Sequence, residues 1–96
     1  MTTVDVGLYV VVWQVRDPAR ARRVRDILRF AGQPVRSGVV EVAATPTRMR
    51  QLQEQIGVHL RDGDTVRIYP VCRSCRRGVR LFGDGDLAGL PVVWII

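Results

Sequence analysis

The fold prediction depends on one stretch of the chain, Leu8-Tyr9-Val10-Val11-Val12-Trp13-Gln14-Val15. Its residues are mostly β-branched or aromatic, and polar residues do not alternate with apolar ones along it. A continuous apolar run of this kind is typical of a central strand that is covered on both faces. The run is also far shorter than the roughly 20 apolar residues of a membrane-spanning helix, so we expect a soluble protein with no membrane partner.

Two amphipathic helices are predicted from a repeated capping signal. Asp17-Pro18 and Thr45-Pro46 each place a capping side chain before a proline that suits the first helical turn. Apolar residues then recur at spacings of three and four, as on the buried face of a helix. The first helix stops at Gly32, and Gly57 weakens the last turn of the second. The two apolar stripes are Val24, Ile27, Leu28 and Ala31, and Met49, Leu52, Ile56 and Leu60.

Extended segments fill the remaining chain. Valines within residues 34–44 predict extended structure, which Ser37-Gly38 interrupts, so one bent strand or two short strands fit equally well. Residues 65–71 alternate between apolar and polar side chains, which is the period of a half-buried strand. A turn is predicted at Cys72-Arg73-Ser74-Cys75, and a short strand at residues 79–82.

The order strand-helix-strand-strand-helix-strand predicts an α+β fold of the ferredoxin-like, split βαβ type. In that fold both helices lie on one face of a four-stranded antiparallel sheet and leave the other face open. The first strand is apolar on both sides, so one helical layer cannot cover it. We therefore predict a homodimer formed through the open sheet face.

The C-terminal residues are expected to form an extra strand. We divide the chain into a ferredoxin-like domain, residues 1–82, and a C-terminal linker and docking strand, residues 83–96. The end of the chain is uncharged and has high strand propensity, a composition that aggregates when left exposed. We expect it to pair with a sheet edge of the sister subunit or of another protein. Its predicted docking residues are Val92, Val93, Trp94, Ile95 and Ile96.

The charge balance favours a polyanionic partner. The 96 residues carry 15 basic and nine acidic side chains, a net charge of +6, and every basic residue is arginine. Guanidinium groups bind phosphate oxygens in a bidentate manner. An arginine-rich helix face is more often simply solvated, but a second arginine cluster after the last strand strengthens the prediction of nucleic-acid binding. The candidate nucleic-acid-binding residues are Arg16, Arg20, Arg23, Arg76, Arg77 and Arg80.

The cysteines and the single histidine give weak signals. Cys72 and Cys75 form one CxxC motif, whereas structural zinc needs four ligands, so a site requires the pairs of two subunits. Thioredoxin-like redox chemistry uses a different order of elements, so two thiols in a turn is the preferred interpretation. His59, near the end of the second helix, is expected to face solvent or the last helix carbonyls rather than to act as a base. Two cysteines and the absence of a signal sequence favour the cytoplasm.

Several segments together resemble the small CRISPR-associated Cas-two family, the CRISPR-associated endoribonuclease family of spacer-acquisition subunits. They are the valine-rich first strand with its basic helix, residues 32–41, and Asp64-Thr65-Val66-Arg67-Ile68-Tyr69-Pro70. The resemblance implies a ferredoxin-like homodimer that holds double-stranded DNA at the centre of a complex with the Cas-one integrase, in antiviral defence. It also implies magnesium-dependent endonuclease activity in several members.

The departures from the family pattern concern the nuclease chemistry. The family has Tyr-Asp at the end of the first strand, and its Asp is the metal-binding residue, but this chain has Trp13-Gln14. Mg²⁺ usually needs one or two carboxylates, so Gln14 is expected to bind it poorly and the family's Mg²⁺ is not expected here. Asp17 is assigned to helix capping. Pro34, Gly38 and Val40 also differ from the family pattern.

We therefore predict a spacer-acquisition subunit that is a dimeric double-stranded DNA-binding scaffold. The alternative is a metal-dependent endonuclease of the same family, acting on RNA or DNA, in which Gln14 is tolerated. A third reading is a regulatory ferredoxin-like subunit that uses its tail for oligomerisation.

Overall fold

The computed structural model describes residues 6–83, which form one sheet and three helices. Along the chain the elements are β1 (Gly7–Gln14), α1 (Pro18–Ala31), β2 (Gln33–Arg36), β3 (Val39–Ala44), α2 (Pro46–Gly57), β4 (Thr65–Val71) and the short α3 (Arg73–Arg77). The predicted order of the first six elements is confirmed.

The sheet has the strand order β2-β3-β1-β4, and all neighbouring strands are antiparallel. Helix α1 connects β1 to β2 across β3, and α2 connects β3 to β4 across β1. This is the split βαβ arrangement, so the ferredoxin-like α+β prediction is confirmed. Strand β1 lies between β3 and β4, the central position that its continuous apolar run predicts.

The helical face of the sheet holds the hydrophobic core. Alternate residues of β1 point to opposite faces, and Tyr9, Val11 and Trp13 point to the face that α1 and α2 cover. Val11 is fully buried, together with Val24, Leu28 and Val42, and burying such a side chain contributes about 1.5–3 kcal/mol. The two helical stripes predicted from the sequence therefore form the core.

The opposite face of the sheet is an apolar strip bordered by charges. Val10 lies opposite Glu41 of β3 and Tyr69 of β4, and Val12 lies opposite Arg67 of β4. Val12 is 37% exposed to solvent and Tyr69 is 49% exposed. The apolar composition of β1 therefore extends to this face, whereas its neighbours place ionic side chains beside it.

Both long helices begin as the capping signals predict. The Asp17 side chain accepts a hydrogen bond from the backbone N–H of Arg20 at 2.9 Å, and Thr45 does the same for Arg48 at 3.1 Å. Asp17 is thus a capping residue. At the other end of α1, Gly32 lies so close to β3 that a Cβ there would stand 2.3 Å from the carbonyl oxygen of Glu41.

Of the two alternatives for residues 34–44, the structure has two strands, because Gly38 turns the chain with a φ of 82° and its carbonyl accepts a hydrogen bond from the Trp13 N–H at 2.9 Å. Two local predictions need correction. Helix α2 ends at Gly57, so Leu60 packs against the core from the following turn. The predicted turn at residues 72–75 is the start of α3, with Cys72 as its cap.

The strand predicted at residues 79–82 is wrong, since only Leu81 makes a single bridge. The guanidinium of Arg80 donates to the carbonyls of Arg77 and Val79, which keeps this segment folded on itself after α3. The predicted docking strand and residues 1–5 lie outside the described residues. Within residues 6–83, no helix has the length and apolar composition needed to cross a bilayer.

One carboxylate joins the start of α1 to the loop before β4. Asp64 accepts hydrogen bonds from the backbone N–H of Arg16 at 3.0 Å and of Arg61 at 2.8 Å. Its side chain is fully enclosed and also pairs with the guanidinium of Arg20, which donates to the carbonyl of His59 at 3.0 Å. The contacts from Arg16, Arg20 and Arg61 lower the pKa of Asp64 from 3.8 to about 2.

We expect Asp64→Asn to lower the melting temperature at neutral pH, because the amide is uncharged and turns a donor toward N–H groups. The native pKa of Asp64 lies below its ordinary value, so its stabilisation is complete above about pH 5 and disappears as the pH falls toward 2. Thermal unfolding across this pH range measures the difference between variant and wild type. Asp62→Asn, at an exposed position two residues earlier, is the control. Equal losses for the two variants at pH 7 would contradict the assignment.

Candidate nucleic-acid interface

The first group of predicted binding residues, which we call the N-terminal patch, is Arg16, Arg20 and Arg23. Arg16 is exposed, and its guanidinium lies against the turn at Gly63, where a Cβ would approach its Cζ to 2.9 Å. Arg20 is 23% exposed and paired with Asp64, so it holds the loop as well as contributing charge. Arg23 is exposed on the outer side of α1, in a shallow groove that Arg22 and Asp26 also line.

The second group, which we call the C-terminal patch, is Arg76, Arg77 and Arg80. Arg76 is half-buried and donates to the carbonyl of Val6 at 3.1 Å, which ties α3 to the start of β1. Arg77 is exposed at the last turn of α3. Arg80 is exposed and makes the carbonyl contacts that fold its own segment. The structure therefore anchors Arg76 to the start of β1, holds Arg80 on neighbouring carbonyls, and leaves Arg77 exposed.

The two patches lie at opposite ends of the sheet. The N-terminal patch follows the end of β1, whereas Arg76 contacts the residue before its start. Eight strand residues at about 3.3 Å each separate them by about 25 Å. One protomer therefore presents two separate cationic groups, and the patches do not merge into a single surface.

The two cysteines adjoin the C-terminal patch. Both are free and exposed, and the Sγ of Cys72 accepts the backbone N–H of Cys75 at 3.2 Å. Hydrogen bonding from the Cys75 side chain and N–H lowers the pKa of the Cys72 thiol, and the same side-chain contact raises the pKa of Cys75. Across residues 6–83, no three potential metal-ligating side chains of the His, Cys, Asp and Glu types come together.

Gln14, at the family's metal-binding position, ends β1 opposite Thr65. It lines a cavity of about 550 Å³, to which Arg25, Arg67 and Ser37 also contribute. No carboxylate is among the described residues that line this cavity. One neutral amide oxygen in a cavity that two guanidinium groups also line is a poor donor set for Mg²⁺, which favours carboxylate oxygens, so these residues do not fit the metal.

Four arginines that the sequence analysis did not select lie around the same end of the sheet. Arg25 and Arg67 line the cavity at Gln14, and Arg29 and Arg36 line an adjoining crevice. The available signal was the spacing of four between Arg25 and Arg29, which places both on one face of α1. Arg36 and Arg67 lie near these two arginines because of the strand order of the sheet, which their positions in the sequence do not reveal.

Comparison with known proteins gives the family of the chain. The sequence profile described as CRISPR associated protein Cas2 matches residues 7–79. CRISPR-associated endoribonuclease Cas2 1 of Chloroflexus aurantiacus is 30% identical over 79 residues, which cover 80% of this chain and 85% of the relative. CRISPR-associated endoribonuclease Cas2 3 of Synechocystis sp. is 26% identical over 85 residues, 88% of this chain and 92% of the relative.

Solved structures agree with this assignment. A hypothetical protein from Thermus thermophilus superposes with a TM-score of 0.72 at 28% identity, over 88% of this chain and 99% of that chain. Streptococcus pyogenes Cas2, crystallised at pH 6.5, superposes with a TM-score of 0.67 at 24% identity, over 79% and 99% of the two chains, and supports the fold alone. With a family profile that spans most of its length, this chain belongs to the CRISPR-associated Cas2 family.

Proposed function

We propose that this Cas2 protein is a dimeric, non-catalytic scaffold that binds double-stranded DNA in the cytoplasm and supports the Cas-one integrase during spacer acquisition. The observation that carries the proposal is the placement of two arginine patches at opposite ends of β1 in a protein with a net charge of +6. Phosphate contacts from separated rigid points position a duplex without reading its sequence.

The open sheet face supports the dimer. It presents Val10, Val12 and Tyr69 as an apolar strip between Glu41 and Arg67. Two copies that face each other would cover this strip. The bordering carboxylate of Glu41 and guanidinium of Arg67 would place opposite charges at the edge of the interface. A dimer also doubles the number of arginine patches on one rigid body, which strengthens binding to a polyanion.

The environment of Gln14 supports a role without nuclease chemistry. In a symmetric dimer each copy contributes the same neutral amide and the same flanking Arg25 and Arg67. Magnesium-assisted hydrolysis requires a bound ion to polarise a phosphoryl oxygen or activate water. The guanidinium groups suit a bound phosphate better than a bound cation.

The alternative function is a metal-dependent endonuclease of RNA or DNA. The names of the two relatives, both CRISPR-associated endoribonucleases, favour it. Under this alternative Gln14 serves as a neutral ligand and the remaining ligands come from water or from the nucleic-acid phosphate.

The C-terminal docking strand belongs to the same proposal. Val92, Val93, Trp94, Ile95 and Ile96 combine high strand propensity with no charge, so they suit addition to a sheet edge of the sister subunit or the integrase. Deletion of residues 90–96 is expected to weaken the dimer or abolish co-purification with the integrase. Undiminished dimerisation and integrase affinity after the deletion would remove this role.

The dimer is tested at Val12. We expect the wild-type protein to sediment at twice the mass of one chain at micromolar concentration and Val12→Asp to shift it toward the monomer, because a charge on the apolar strip must be desolvated at the interface. Val58→Asp, a valine that is 67% exposed after α2, is expected to leave the dimer unchanged. A wild-type protein that stays monomeric contradicts the proposal.

DNA binding is tested through its salt dependence. Arg23→Gln/Arg77→Gln removes one exposed guanidinium from each patch, and each lost phosphate contact lowers the slope of log affinity against log salt by about 0.9. The expected loss is about 1.8 for double-stranded DNA of any sequence. Arg48→Gln/Arg50→Gln, at exposed positions of α2, keeps the wild-type slope. If the two double variants share one slope, the patches do not bind DNA.

The nuclease alternative is tested with Mg²⁺. We expect no cleavage of RNA or DNA by the purified protein in the presence of Mg²⁺, and no heat of Mg²⁺ binding in calorimetric titration, because Gln14 supplies no carboxylate. The Gln14→Ala variant is expected to behave like the wild type in both measurements. Cleavage that EDTA stops and that Gln14→Ala abolishes would establish the enzyme in place of the scaffold.

A further inference from the structure

A small crevice lies between α1 and the β2–β3 hairpin, apart from the two arginine patches. Its volume is about 190 Å³. Arg25 and Arg29 enter it from α1, and Arg36 and Ser37 enter it from the hairpin, with Trp13 at its base. We call these four polar side chains the arginine crevice. It adjoins the cavity at Gln14, with which it shares Trp13, Arg25, Ser37 and Gly38.

The crevice carries three positive charges without an internal counter-charge. The side chains of Arg25, Arg29 and Arg36 make no hydrogen bond or ion pair to another residue of the range 6–83. No carboxylate is among its described lining residues. Arg25 and Arg29 are four residues apart on one helix, a spacing at which like charges repel. An anion bound near both guanidinium groups therefore relieves this repulsion and stabilises the helix.

The walls of the crevice are held in place by the core. Trp13 is 9% exposed and belongs to the hydrophobic cluster. Its backbone N–H is bonded to the Gly38 carbonyl, which fixes the hairpin turn against β1. The Arg25 guanidinium stands 5.9 Å from the centre of the Trp13 ring, a distance at which cation–π attraction restricts it. A ligand therefore meets a partly preorganised set of donors.

We propose that the arginine crevice binds a phosphate group of the nucleic-acid backbone. Three guanidinium groups and the hydroxyl of Ser37 supply positive charge and hydrogen-bond donors to the anionic oxygens of a phosphate diester. The proposal deepens the proposed function, on which it rests, by adding a third phosphate contact on each protomer. The crevice adjoins the cavity at Gln14, which Arg67 of β4 also lines, so positive charge extends from the crevice to that strand.

The first test compares two double variants that lose the same charge. Arg25→Gln/Arg29→Gln removes both positive charges that α1 contributes to the crevice. Arg48→Gln/Arg50→Gln, on α2, is the control. We expect the first variant to lower the salt-dependence slope for double-stranded DNA by about 0.9, because the two guanidinium groups together hold one phosphate, and the control to leave it unchanged. If both variants keep the wild-type slope, the crevice does not contact DNA and the inference is wrong.

The second test uses inorganic phosphate and does not involve DNA. The chain has two tryptophans, so Trp94→Phe leaves Trp13 as the single tryptophan, whose emission is excited selectively over that of the two tyrosines. We expect phosphate, titrated at constant ionic strength, to change the Trp13 emission in a saturable way and Arg25→Gln/Arg29→Gln to abolish the change. Equal melting temperatures for these variants and for the control variant exclude unfolding as the cause.

The two tests separate this inference from the proposed function. A wild-type protein that shows the phosphate response but has no affinity for DNA disproves the DNA scaffold and reassigns the crevice to free phosphate compounds, which overturns the inference as stated. DNA binding with unchanged slope in Arg25→Gln/Arg29→Gln preserves the scaffold and overturns the crevice. A reduced slope together with a lost phosphate response supports both.

Discussion

The structure depends on the position of β1 between two antiparallel neighbours. Hydrogen bonding to β3 and β4 satisfies both edges of this strand, and the alternation of its side chains commits Tyr9, Val11 and Trp13 to the helical layer. The same alternation leaves Val10 and Val12 on the face that the two long helices do not cover. One apolar strand therefore fixes both the hydrophobic core and the surface on which a second copy is proposed to pack.

The arginines of this chain serve different physical roles despite their equal charge. Arg20 is enclosed with Asp64 and holds the loop before β4, and Arg76 is bonded to the carbonyl of Val6. Arg23 and Arg77 face solvent, so pairing with a phosphate would not require them to break a contact that holds the fold. The count of 15 arginines therefore overstates the number of groups that are free to bind a polyanion, since some of them also stabilise the fold.

The replacement of a carboxylate by Gln14 changes the electrostatics of the end of β1. An aspartate at this position would compensate part of the positive charge of Arg25 and Arg67, whereas the neutral amide of Gln14 does not. The same end of the sheet continues into the arginine crevice. Its chemistry therefore favours phosphate oxygens over a divalent cation, as the proposed scaffold function requires.

The sequence by itself determined the order of elements, the central strand and the two helical stripes. These features are local: capping at Asp17 and Thr45 and the spacing of apolar residues do not need distant partners. The helical stripe around Leu28 was identified from its periodicity, and it forms the core. The boundaries of the elements were predicted less accurately than their order: α2 ends at Gly57, before Leu60, and residues 79–82 do not form a strand.

Only the tertiary structure decided which charged residues come together. Asp64 and Arg20 are separated by 44 positions, and their pairing follows from the crossing of α1 past the loop before β4. Arg36 reaches the crevice because the hairpin turns at Gly38 and is bonded to Trp13. Sequence periodicity reports which face of one element is apolar, whereas the approach of side chains from different elements depends on strand order and register. For that reason the sequence could nominate candidate arginines, but it could not divide them into groups that hold the fold and groups that face solvent.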